Sequence, residues 1–85
     1  MLAALSAGKF VLSHYAMSAG GAIRDDGVVR FLADGTTDAS FGAAGKHPAP
    51  PGHEVWAIAA LPDDRVLTVF IDRHGKDFVI ERLAP

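Results

Sequence analysis

An internal repeat narrows the folds open to this chain more than any other property of its sequence. Ala3-Ala4-Leu5-Ser6-Ala7-Gly8-Lys9-Phe10-Val11-Leu12 aligns with Ala59-Ala60-Leu61-Pro62-Asp63-Asp64-Arg65-Val66-Leu67-Thr68 at an offset of 56 residues. Each copy reads as an apolar strand, a polar turn, a basic residue and a second apolar strand. A second correspondence joins Val28-Val29-Arg30-Phe31-Leu32 to Ile80-Glu81-Arg82-Leu83-Ala84 at an offset of 52. The shorter second offset predicts a longer loop in the first copy, around residues 17–26, with Asp25-Asp26-Gly27 at its end. A period in the fifties is too long for the common helical repeats and suits a four-stranded blade of propeller type.

The local patterns agree with strands. Val66-Leu67-Thr68-Val69-Phe70-Ile71 is β-branched, aromatic and apolar on both faces, as a strand covered on both sides would be. Glu54-Val55-Trp56-Ala57-Ile58-Ala59-Ala60-Leu61 is similar, and Trp56 within it reads first as a core residue. Pro62-Asp63-Asp64 and His74-Gly75-Lys76 supply turns. Alternation then puts Phe78, Ile80 and Arg82 on one face of the last strand and Val79, Glu81 and Leu83 on the other. No segment has a helical period with caps at both ends.

Length and composition limit the possibilities further. The 85 residues suffice for one small domain, whose core is thin because a chain this short buries only about 60–65% of its unfolded surface. With 49% apolar and 21% charged residues the chain is globular rather than disordered. A net charge of −2 with no basic run speaks against nucleic-acid binding. There is no cysteine, which excludes disulfides and thiolate metal sites. No apolar run reaches the length of a membrane-spanning helix. The first residues give no clear signal peptide: a basic start is missing, and Lys9 and His14 interrupt the apolar stretch.

The most specific spelling is Asp34-Gly35-Thr36-Thr37-Asp38-Ala39-Ser40-Phe41-Gly42-Ala43-Ala44-Gly45-Lys46, which follows a strand ending in Arg30-Phe31-Leu32. This segment resembles the delta-60 repeat family. Units of that family run from an apolar strand and a Gly-Lys turn, through a second strand, to Arg-aromatic-x-x-Asp-Gly-Ser-x-Asp-x-Ser-Phe-Gly-x-x-Gly-Lys. Arg30, Asp34, Gly35, Asp38, Ser40, Phe41, Gly42, Gly45 and Lys46 fall at matching positions, with Thr36 in place of the usual serine. The second copy departs from the pattern: it has Arg82 but stops before its own Asp-Gly and Ser-Phe-Gly, and Pro62-Asp63-Asp64-Arg65 replaces the usual turn. The resemblance implies an all-β fold of antiparallel four-stranded meanders like β-propeller blades. It also implies a bacterial protein, extracellular or at the cell surface, without an established activity. On this reading residues 1–85 form one domain. Repeat one (residues 1–44) lacks its leading strand, and repeat two (residues 45–85) lacks the terminal loop.

Elementary chemistry gives the motif residues structural work. Asp34-Gly35 is a turn dipeptide; Asp38 and Ser40 can hold nearby backbone N–H groups; Phe41 is an apolar anchor; Gly42 and Gly45 allow sharp bends; Arg30 and Arg82 suit bonds to carbonyls or carboxylates between strands. Asp34 and Asp38 lack the alternating oxygens of a calcium loop, and His47 with His53 lacks further zinc ligands. Ser13-His14 and Ser40 sit in no nucleophile elbow, and the adjacent acids Asp25-Asp26 and Asp63-Asp64 point to opposite faces of a strand. No catalytic residue, cofactor or metal is therefore expected. Trp56, His53 and Tyr15 are the residues that could touch a ligand such as a glycan. The expected function is a non-enzymatic structural or interaction module, the alternative being a ligand-binding or enzymatic site at the centre of an assembled propeller. Two blades leave apolar faces and edges open. The partners expected are thus further copies, one chain even supplying a strand another lacks, or neighbouring repeats.

Overall fold

The computed structural model describes residues 1–17 and 24–85. Strands β1 (Leu2–Ala4), β2 (Phe10–Met17), β3 (Arg24–Phe31) and β4 (Lys46–Pro48) form one antiparallel sheet in that order. Strands β5 (His53–Ala60), β6 (Val66–Asp72) and β7 (Phe78–Leu83) form a second. The protein is all-β, two meanders joined by residues 49–52. β4 pairs with β3, so residues 46–48, placed in the second unit by the repeat, complete the first sheet instead.

The repeat is carried into three dimensions with its register intact. Val11 pairs with Arg30 as Leu67 pairs with Arg82, and Phe10 with Phe31 as Val66 with Leu83. Ala3 faces Val11 as Ala59 faces Leu67. The turns match too. Leu5 N–H donates to the Lys9 carbonyl at 2.8 Å, and Leu61 N–H to the Arg65 carbonyl at 2.8 Å. Ala7 and Asp63 hold φ of 56° and 67° at equivalent turn positions. The two copies differ in that β1 has three residues where β5 has eight.

The sheets stack, with β1, β2 and β3 all meeting β5. The core lies between them: Ala3, Val11 and Val28 from the first sheet, Val66 and Leu83 from the second, and Phe41 from the loop after β3. Phe70 and Thr68 are fully buried on the same face of β6 as Val66. Full burial of each valine or phenylalanine contributes about 1.5–3 kcal/mol. Only one face of β6 is covered in this way; Leu67, Val69 and Ile71 lie half-buried on the other.

Two local expectations are corrected. Residues 24–26, expected in a loop, belong to β3; residues 18–23 of that loop lie outside the described residues. Asp26 is buried and accepts a hydrogen bond from Arg73 Nη2 at 3.1 Å, so it is a strand residue satisfied by a distant partner. Gly27 is needed for close approach rather than for a turn, since a Cβ there would lie 2.6 Å from the His47 carbonyl oxygen on β4. Trp56, read first as core, is 62% exposed. The register of β5 against β6 shifts between Val55 and Ala57, and the bulge leaves Trp56 on the outer face with Ala57 and Val69.

Candidate functional site

The loop between β3 and β4 folds back onto β3 through Arg30. The Arg30 side chain is 3% exposed. Its Nε donates to Asp38 Oδ2 at 2.9 Å and its Nη2 to Ser40 Oγ at 3.3 Å. The guanidinium lies 4.8 Å from the centre of the Phe41 ring, a cation–π arrangement. Backbone bonds close the same loop: Asp38 N–H donates to the Arg30 carbonyl at 2.9 Å, and Arg30 N–H to the Gly45 carbonyl at 3.0 Å. Asp38 also accepts from the Ser40 hydroxyl at 2.6 Å and the Ser40 N–H at 3.1 Å. These two bonds from Ser40, with the nearby Arg30 charge, hold its carboxyl below the usual carboxylate range. Asp34 accepts from Thr36 Oγ1 at 2.6 Å and Thr36 N–H at 2.9 Å, which likewise lowers its pKa. Gly35 turns the chain at φ 87°.

The motif residues of the first copy thus close on one another and on the core, through a buried Phe41. Arg82 occupies the Arg30 register position in the second sheet but is exposed.

Polar contacts tie one sheet to the other, an ion pair of Lys9 Nζ with Asp64 Oδ2 at 3.8 Å among them. Asp64, in the second turn, accepts from the Ser6 N–H at 2.7 Å and from the Ser6 hydroxyl, in the first turn. The Ser6 hydroxyl, its N–H and the Lys9 charge keep the Asp64 carboxyl below its ordinary range. Asp26 on β3 takes the Arg73 bond already described. His47 on β4 places Nε2 3.3 Å from Glu81 Oε2 on β7, without hydrogen-bond alignment.

Among the described residues no group of three or more His, Asp or Glu could hold a metal ion, and no helix is long and apolar enough to cross a membrane. His53 sits at the start of β5 with Nδ1 3.0 Å from the Pro51 carbonyl oxygen. Tyr15, 64% exposed, pairs with Asp26, so it lies on the face of the first sheet that turns towards the second. Trp56 lies on the opposite side of the second sheet. The three candidate ligand contacts therefore do not share a pocket.

A groove of ≈ 550 Å³ lies on the outer face of the second sheet, lined by Trp56, Ala57, Val69, Ile71 and Phe78. Phe78 and Ile80 are 63% and 58% exposed there. The sequence carried the signal for this face in the apolar alternation on both sides of β6, but not the news that one side would stay open. The outer face of the first sheet is apolar as well. Phe10 and Phe31 stack at 5.2 Å beside Leu12 and Val29, and Leu2 is 60% exposed. No protein-family model, curated protein or solved structure shows a significant match to this chain.

Proposed function

We propose that this protein is a non-enzymatic structural or interaction module built from propeller-type repeats of the delta-60 kind, which binds other blade-like sheets through its two outer faces. The observation that carries the reading is that both outer faces are apolar: Trp56, Val69, Phe78 and Ile80 on the second sheet, and Leu2, Phe10 and Phe31 on the first. Contiguous exposed apolar surface on a small protein marks an interaction site. The groove beside Trp56 has the volume of a small-molecule pocket. Its lining, however, offers only the indole N–H among side-chain polar atoms, whereas ligand sites place several polar groups to orient what they bind. A sheet or other apolar protein surface fits it better. Partners are further copies of the chain or neighbouring repeats.

The test is the double substitution Val69→Lys and Ile80→Lys on the outer face of the second sheet. The expected outcome is a folded protein with an unchanged circular dichroism spectrum that no longer associates, since a buried unpaired lysine opposes docking. A variant that unfolds instead would show that these residues serve the protein's own core, and would overturn the reading.

A further inference from the structure

The register shared by the two sheets identifies what would cover each outer face. In the first sheet, Ala3, Val11, Val28 and Arg30 face inward. Their counterparts in the second sheet, Ala59, Leu67, Ile80 and Arg82, face outward. The converse holds as well. Val66, Thr68 and Leu83 face inward from the second sheet, and their counterparts Phe10, Leu12 and Phe31 lie on the outer face of the first. The two sheets are thus stacked front to back, not front to front. The front of the second sheet is a repeat of the surface on which the second sheet itself is seated. The back of the first is a repeat of the surface that does the seating.

We infer that a second copy of this chain docks head to tail, laying the back of its first sheet (Phe10, Leu12, Phe31) on the front of this chain's second sheet (Leu67, Val69, Ile80). The inference rests on the reading of the outer faces as sheet-docking surfaces, and adds the partner and its orientation. The interface within the chain is the template. Arg82 lies on the edge strand β7, where its stem can run along the covered apolar surface while its guanidinium stays in water.

The junction between copies differs from the internal one in a definite way. At the equivalent open positions four of the side chains that make polar contacts between the sheets give way to apolar residues or glycine, while the basic Lys9 keeps its charge as Arg65. Asp26 is replaced by Phe78, Glu81 by Val29, and the Ser6–Asp64 pair by Pro62 and Gly8. The joint between copies is therefore drier and more apolar than the joint inside the chain. That is the composition of an interface formed between like subunits. Because front and back are different surfaces, the contact is heterologous: it closes into a ring if the rotation per chain allows it, and otherwise runs on into a filament.

The chain has no cysteine, so single thiols report this geometry cleanly. Ile80→Cys marks the front and Phe31→Cys the back. Each variant alone, and an equimolar mixture of the two, is treated with a short bis-maleimide cross-linker after its fold is checked by circular dichroism. The expected result is a cross-linked dimer several-fold more abundant in the mixture than in either variant alone. Should either variant lose its fold, Val69→Cys and Leu12→Cys mark the same two faces. A strong product from one variant alone would overturn the head-to-tail orientation and leave the outer faces as docking surfaces. No product from folded variants in any combination would overturn the second copy as occupant, while the lysine substitutions above judge the docking reading separately.

Discussion

Replacing Phe41 with alanine should lower the unfolding free energy by about 3–5 kcal/mol, the usual cost of truncating a buried phenylalanine. Its ring is 3% exposed and belongs to the core cluster with Val66 and Leu83. It also carries the Arg30 guanidinium on its face, so truncation leaves a buried charge over a void. A chain of 85 residues has a total stability of roughly 4–13 kcal/mol. The variant should therefore show a much lower denaturant midpoint, and part of the population should be unfolded in buffer. A midpoint within experimental scatter of the parent would mean that the loop is not pinned to the core and that the motif serves something other than the fold.

Gly42→Ala should cost at least about 2 kcal/mol, from left-handed backbone strain together with a steric clash. Gly42 holds φ at 56°, and an added Cβ would press on the Lys46 carbonyl oxygen and come within 2.8 Å of its carbon. That carbonyl accepts the Ala43 N–H at 2.8 Å, so relief of the clash opens the turn leading into β4. Gly35→Ala is the control: its φ is 87°, but a Cβ there meets nothing within 4 Å. Strain alone should cost it about 1–2 kcal/mol. Equal losses in thermal unfolding would show that the approach of Gly42 to β4 is not a constraint.

What could be read from the sequence was local or periodic. The repeat gave matching strand pairs and matching turns because side-chain alternation and turn chemistry act over a few residues. The Asp34-Gly35 and Asp38-x-Ser40 turns were legible for the same reason: each closes hydrogen bonds two residues along the chain. What escaped was decided at long range. Asp26 is a strand residue because Arg73 lies across the stack to satisfy it, and nothing near Asp25-Asp26-Gly27 announces that partner. Trp56 faces outward because a bulge shifts the register of β5, and a bulge leaves no mark in an apolar run. The end of the first sheet came later than the repeat suggested because β4, only three residues long, is held by its pairing to β3 rather than by its own apolar pattern. The front-to-back stacking was invisible until the fold showed which face of each strand was covered; its signature, the pairing of Val28 with Ile80 and of Leu83 with Phe31 in the repeat, was in the sequence throughout.

The central claim is that the two outer faces are covered in solution by other copies. The most direct measurement is the native mass by light scattering across a range of protein concentrations. Two sheets per chain and the four to eight blades of closed propellers give a ring of about two to four chains. The account predicts one such mass held constant on dilution, or a mass that grows with concentration if the stack stays open. A well-folded monomer at every concentration would contradict it, and would mean that two sheets with apolar outer faces are stable on their own.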